Sequence, residues 1–257
     1  MSEFKDKKVL ITGAAGIFGN WIARAFAREG ASLFLTDARL EALQEQTAEL
    51  DLPPDRLHLH RDDLTDDASI AGLVDAVKNR WNAPDIFVDS AGIYPFATLL
   101  DTDNALWDRI FNVNVRAPFI LTRDIAKQMI ENGVNGSIIH IGSGAARSLR
   151  PNGVPYCISK TALDRLTKGF AVELAPHGIR VNVVEPGFAP GSAITDFPEG
   201  YVDRVASSIP MGRTSGPDDA PNAVLFLCSQ KAGFITGTSL SVDGGNSIGK
   251  VTPKTGT

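Results

Sequence analysis

Short apolar runs alternate with longer amphipathic stretches along the chain. Lys8-Val9-Leu10-Ile11-Thr12 reads as a strand, and Ile17 to Arg28 has the spacing of a helix with one apolar face. Further strands are predicted at Ser32–Thr36, Arg56–His60, Asp85–Val88, Ser137–Ile141, Arg180–Val184 and Ser239–Val242. Helices are predicted between them at Leu40–Leu50, Asp67–Trp81, about Asp103–Asn132, Pro155–Ala175 and Asp218–Ser229. Strands without polar alternation, spaced by helices, predict a parallel sheet covered on both faces. The expected architecture is a doubly wound α/β fold of about seven strands, with 1–257 forming one domain.

No Pro-, Gly- or Ser-rich linker divides the chain, and no internal repeat is present. Gly187 to Gly200 has no clear period and reads as a long loop, the start of a substrate loop at about 187–215. The tail at 246–257 is polar and expected to be loosely held. The 257 residues carry a formal net charge of −5, which argues against nucleic acid as a partner. The two cysteines, Cys157 and Cys228, have no metal-like spacing and are expected as buried free thiols, a bridge being the alternative. Met1 to Lys8 has no apolar core for a signal peptide, and no run reaches membrane-spanning length, so the cytoplasm is the expected compartment.

Candidate chemistry starts at the first strand-to-helix turn, Thr12-Gly13-Ala14-Ala15-Gly16-Ile17-Phe18-Gly19. Small residues there let the backbone approach a pyrophosphate, and the helix N-terminus offers free N–H groups. A tight, closely packed turn would need the same residues. Asp37 follows at the end of the second strand, 18 residues after Gly19. Its carboxylate can accept both ribose hydroxyls of an adenosine, or it can cap the helix beginning near Leu40. Loop and acid together favour a nucleotide and leave NAD and S-adenosylmethionine both open.

Tyr156 and Lys160 lie four residues apart on a predicted helix and so share a face. Ser143 follows the strand ending at Ile141, at the carboxyl edge of the sheet where ligands bind. A phenol titrates near pH 10 in water, and a close ammonium lowers that value. Such a pair can serve as an acid or base beside a nucleotide, and the same spacing also occurs on the surface of an ordinary amphipathic helix.

In these motifs and their order the chain resembles the short-chain dehydrogenase/reductase family, in its single-domain branch, from Lys8 to about Gly245. The glycine loop comes first. Asp63-Leu64 is similar to the family's adenine-contacting Asp-Val pair, and Asp89-Ser90-Ala91-Gly92 stands where the family has Asn-Asn-Ala-Gly. Asn114 matches the catalytic asparagine, Ser143 the catalytic serine, and Tyr156-Cys157-Ile158-Ser159-Lys160 the Tyr-x-x-x-Lys core. Pro186-Gly187 matches the turn beside the nicotinamide, and Val242-Asp243-Gly244-Gly245 the C-terminal signature.

The resemblance implies a Rossmann-like fold and a hydride exchanged between NAD and an alcohol or ketone carbon. It implies Tyr156 as general acid or base, Ser143 as the group polarising the substrate oxygen, and Lys160 as the ribose ligand that lowers the Tyr156 pKa. Asn114 would anchor a water relaying protons to Lys160. The cofactor would meet Gly13, Ala15, Gly16, Ile17, Phe18, Gly19, Asp37, Asp63, Leu64, Ser90, Ala91, Gly92, Tyr156, Lys160, Pro186, Gly187 and Ala189. A homo-oligomer, usually a tetramer, is implied through the helices beginning near Asp103 and Pro155.

Some positions depart from the family pattern. Glycines 13, 16 and 19 have the spacing of the extended branch, with Ile17 where the single-domain branch has glycine. Asp89 and Ser90 replace two asparagines, and a buried acid at Asp89 needs donors. Ser192 stands near the place of a carboxamide-binding threonine. Arg147 and Arg150 lie between Ser143 and Tyr156, as surface cations or as readers of an anionic substrate. His58 and His60 have no further ligands to complete a metal site. Alternative readings are an epimerase or dehydratase of the extended branch, and a dinucleotide-binding redox sensor without turnover.

Overall fold

A computed structural model describes residues 2–50, 52–191 and 198–251. The strands are β1 (Lys8–Thr12), β2 (Ser32–Asp37), β3 (Leu57–Arg61), β4 (Ile86–Asp89), β5 (Ser137–Ile141), β6 (Arg180–Pro186) and β7 (Ser239–Val242). They form one seven-stranded sheet in the order β3-β2-β1-β4-β5-β6-β7, and the described pairings are all parallel. The order reverses between β1 and β4, so a crevice opens there at the carboxyl edge. The doubly wound, Rossmann-like architecture predicted from the strand pattern is the one observed.

The helices are α1 (Ile17–Arg28), α2 (Leu40–Thr47), α3 (Asp67–Trp81), α4 (Asn104–Phe111), α5 (Ala117–Glu131), α6 (Val154–Leu174), α7 (Tyr201–Ser208) and α8 (Asp219–Cys228). They divide the core in two. Ile11, Leu33, Leu35, Ile22, Phe26 and Val224 fill one layer. Leu10, Phe34, Phe87, Leu73, Leu121 and Ile138 fill the other. Successive strand residues point to opposite faces, which sends Leu10 and Ile11 to different layers. Full burial of each large aliphatic side chain contributes about 1.5–3 kcal/mol, so these layers dominate stability.

Three elements differ from expectation. The stretch expected as one helix from about Asp103 to Asn132 is α4 and α5 joined by a π-helical turn at Asn112–Arg116. One wide turn keeps the apolar stripe on both sides and leaves no break in periodicity. Within the long loop, α7 forms a helix that the sequence pattern did not show. The described part of the tail is fastened: Ser247 N donates to Asp243 Oδ2 (2.8 Å) and Val251 N to the Ser208 carbonyl (3.1 Å). Ser192 lies outside the described residues. Cys157 and Cys228 are buried free thiols, and burial pushes the Cys228 thiol up to about 12. No described helix is long and apolar enough to cross a membrane.

Candidate active site

The glycine loop closes the crevice at its β1 side. Gly13 adopts φ +61°, and a Cβ there would lie 2.6 Å from the Ala91 Cα. Only glycine meets both demands, because positive φ and backbone contact each exclude a side chain. A Cβ on Gly19 would lie 2.2 Å from the Gly13 carbonyl, and one on Gly16 would lie 3.1 Å from it. Gly16 is the extended N-cap of α1 and has no side-chain cap. The helix therefore presents uncapped N–H groups where a pyrophosphate would sit. Ala15 is buried, while Ile17 and Phe18 are half-buried and the Phe18 ring meets Trp21 edge-on at 5.5 Å. Ile17 is accommodated as the first residue of α1.

Asp37 ends β2 and is 7% exposed. Its Oδ2 accepts from Ala15 N (3.0 Å), and its Oδ1 accepts from Arg39 N (3.0 Å) and Arg39 Nε (3.2 Å). The N-cap of α2 is Arg39, so the capping reading of Asp37 falls away. The carboxylate is tied to the glycine loop itself, and Oδ2 retains a lone pair for a ribose hydroxyl.

Beyond β3, Asp63 is exposed and its Oδ1 accepts from Thr65 N (2.9 Å) and Thr65 Oγ1 (2.6 Å). The Leu64 side chain is buried in the α3–α5 layer. The core thus claims the Leu64 side chain. Pattern reading passed over Asp62, which is buried and has no partner for Oδ2. Desolvation first, then the neighbouring Asp37 and Asp89 carboxylates, push it up to about 6 against the hydrogen-bonding influence of Thr36.

A carboxyl with a raised folded pKa holds its proton more tightly in the fold. Stability is then lost as pH rises from the unfolded value near 4 to about 6, and the loss persists above. Asp62→Asn is expected to raise stability by about 1–2 kcal/mol at about pH 7.5, with the gain shrinking towards pH 4. Urea denaturation at both pH values checks this, and an equal gain at both would refute the electrostatic cause.

At β4, Thr12 Oγ1 donates to Asp89 Oδ1 (2.5 Å) and accepts from Ser90 N (3.2 Å) and Ala91 N (3.4 Å). This lashes the Asp89–Gly92 segment to β1. A Cβ on Gly92 would come within 3.4 Å of both Asn114 Oδ1 and Lys160 Nζ, so the segment backs directly onto the polar centre.

Asn114 sits in the π-helical turn and is buried. Its Oδ1 accepts from Ile93 N (2.9 Å), and its Nδ2 donates to the Ile93 carbonyl (2.9 Å) and Ser159 Oγ (3.0 Å). Both amide protons are spent inside the protein, so side-chain anchoring of a relay water is not what this geometry offers. A π turn displaces its carbonyls from the helical ladder, and such turns concentrate at functional sites.

The Ser143 hydroxyl lies near enough to Tyr156 to act on its phenol. Ser143 Oγ also accepts from Ala145 N (3.1 Å). Pro155 near the start of α6 sets the helix entry just before Tyr156. One turn later, Lys160 is buried and its Nζ donates to the Ile141 carbonyl (2.9 Å), 5.9 Å from the Tyr156 ring centre. Two ammonium protons remain available.

Burial pushes the Tyr156 phenol above its ordinary value, outweighing the Ser143 hydroxyl and the Arg150 charge, which lower it. This differs from the expected lowering by Lys160: in the protein alone desolvation prevails, and the Tyr156 phenol is held protonated. Desolvation likewise lowers Lys160 to about 8.

Across the crevice, Pro186 ends β6, Gly187 N donates to the Val242 carbonyl (2.9 Å), and Ala189 is half-buried. A Cβ on Gly187 would lie 2.9 Å from Asp243 Cα and Ser215 Oγ. Arg147 is taken up by Glu185 (2.6 Å) from β6, whereas Arg150 lies close enough to act on Tyr156. His58 and His60 pack on Phe34, with ring centres at 4.4 and 5.9 Å.

Residues 13–247 match the family model described as enoyl-(acyl carrier protein) reductase. The cyclopentanol dehydrogenase of Comamonas testosteroni is 35% identical over 248 residues, 95% of this chain and 98% of that one. The chain belongs to the short-chain dehydrogenase/reductase family. The sorbitol dehydrogenase of Cereibacter sphaeroides is 33% identical, covering 93% of this chain and 97% of its own. The crystal structure of a 3-ketoacyl-(acyl-carrier-protein) reductase from Brucella melitensis complexed with NADH superposes with a TM-score of 0.85 at 33% identity, covering 95% of this chain and all (100%) of that one. This short-chain dehydrogenase/reductase is therefore an oxidoreductase of a family that binds a nicotinamide cofactor. Its glycine cradle, the uncapped start of α1 and the buried Asp37 carboxylate fit that group, on the geometry above.

Proposed function

We propose that the chain is an NAD-dependent dehydrogenase/reductase acting on a secondary alcohol or its ketone. The observation that carries this reading is Ser143 close to Tyr156, with buried Lys160 one turn away, at the sheet edge that also holds the glycine cradle. The bound nicotinamide supplies or accepts the hydride. Tyr156 gives a proton to the substrate oxygen in reduction and takes it back in oxidation. Ser143 donates a hydrogen bond to that oxygen as charge builds on it. Lys160 holds the ribose hydroxyls with its two remaining donors. Asn114 holds Ile93 and Ser159 in place by its side chain and offers its main-chain carbonyl to a relay water. The expected setting is a cytosolic homotetramer. Exposed Phe119 and Val172 on α5 and α6, with Phe119 stacked on Phe170 at 6.1 Å, support association through that helix face.

Screening alcohols and ketones while following reduced-nicotinamide absorbance tests the proposal. Turnover of a member of the panel is expected. Tight dinucleotide binding with no turnover across the panel would favour the non-catalytic sensor.

Cofactor choice follows from Asp37. A 2′-phosphate would bring about two negative charges against this carboxylate. Arg39, the nearby cation, already serves Asp37. NAD is expected to be preferred over NADP by at least about tenfold in kcat/KM, equivalent to about 1.4 kcal/mol. Asp37→Ser should shrink that ratio by freeing Arg39 for the phosphate. Equal kcat/KM for both cofactors in the unmodified protein would remove Asp37 from the ribose site.

A further inference from the structure

Asp89 stands where the family pattern has asparagine, and the mechanism above gives it no task. It is 2% exposed, and its Oδ1 has the Thr12 hydroxyl. Its Oδ2 is buried with no hydrogen-bond partner. Left alone, a carboxyl in such a place would stay neutral. It is not alone. Asp89 is the register partner of His140 on β5, the residue just before Ile141, whose carbonyl binds the Lys160 ammonium. Two buried groups of opposite charge thus meet near the carboxyl ends of β4 and β5, and each acts on the other.

Other ionisable groups near this pair do not displace Asp89 as the counter-charge. His140 is wedged between Thr122 Oγ1 (2.8 Å) and Thr167 Oγ1 (2.7 Å), and burial drives it down to about 3, so it is neutral. Asp62, the next carboxyl along the edge, is itself raised by the like charges of Asp37 and Asp89, and Asp89 is the charge that acts on Lys160. Tyr156, on the ammonium's own helix, is held protonated.

We propose that Asp89 is a positioning residue for Lys160: its buried carboxylate keeps that side chain an ammonium, and so a donor to the cofactor ribose, through the neutral pH range. The inference rests on the reading of Lys160 as a ribose ligand. Burial alone draws Lys160 downward, and Asp89 is the influence that opposes it, leaving it at about 8. Removing a nearby negative charge lowers the proton affinity of every group it acts on, so the sign of the effect on Lys160 is fixed. Asp89 itself titrates at about 6, so its support is present above that value and fades below it.

The test is NADH affinity, read by fluorescence titration across pH, for the unmodified protein and for Asp89→Asn. The unmodified protein should lose affinity along an alkaline limb near pH 8, as Lys160 deprotonates. In Asp89→Asn that limb should move down by about one pH unit. The position of the limb is the readout, since losing a negative charge near an anionic dinucleotide also shifts affinity at every pH. A limb that stays in place in a folded variant overturns the proposal. So does a uniform change at all pH values, which is what a merely structural role would produce. Asp89→Ser removes the same charge, keeps a hydroxyl for Thr12, and carries the test should the asparagine variant not fold. If the unmodified protein binds no NADH at any pH, the functional reading itself fails, an outcome distinct from an unmoved limb.

Discussion

Tyr156→Phe is expected to leave less than about 1% of turnover, because general acid–base catalysis contributes about 10²–10⁴-fold. The ring survives in the variant, with its edge-on contact to Tyr94 at 6.2 Å. The Lys160 ammonium keeps its bond to the Ile141 carbonyl. Only the hydroxyl near Ser143 disappears. NADH affinity should therefore change by less than about threefold, under 1 kcal/mol. Steady-state kcat and a fluorescence titration separate the two quantities. More than a few per cent of kcat remaining would remove Tyr156 as the proton donor, and a large loss of affinity would show that the hydroxyl holds cofactor.

The second large effect is steric. Gly19→Ala places a Cβ 2.2 Å from the Gly13 carbonyl and 2.9 Å from Ala14 Cα. Both neighbours are backbone, so no side chain can swing away. Either α1 or the loop must shift, and overpacking of this kind costs about 1–3 kcal/mol or more. Since the same loop forms the cradle, NADH affinity should fall at least about tenfold, about 1.4 kcal/mol. Gly72→Ala in α3 is the control. Nothing lies within 4 Å of its added Cβ, and alanine in an exposed helix gains up to about 1 kcal/mol. Urea denaturation and NADH titration of both variants check the contrast. A Gly19→Ala protein as stable and as tight-binding as its parent would disprove the packing account.

Much of the site was legible as order along the chain. Parallel strands buried on both faces leave continuous apolar runs, so Leu10–Ile11, Phe34–Leu35 and Ile138–Ile139 announce themselves without any partner. Glycines that must touch backbone leave a recognisable spacing, and Tyr156 and Lys160 share a helix face whatever surrounds them. The π turn around Asn114 left no such mark, because it preserves the apolar stripe of the helices it joins. Asp62 and Asp63 were indistinguishable as neighbours in a polar stretch, yet one is buried under Thr36 and the other is exposed.

By itself the sequence determined the succession of strands and helices, the family, the glycine cradle and the identity of the polar residues that gather at the sheet edge. Those features depend on side-chain type and local spacing, which are properties of the chain alone. Tertiary structure decided how the two arginines differ, because Glu185 arrives from β6 to claim Arg147, while Arg150 is the one that acts on Tyr156. It decided that Leu64 serves the core, and that Tyr156 is held protonated by its surroundings. It also set Asp89 against Lys160. Burial and charge pairing are sums over groups distant in sequence, so they take a value only once β4, β5 and α6 have met.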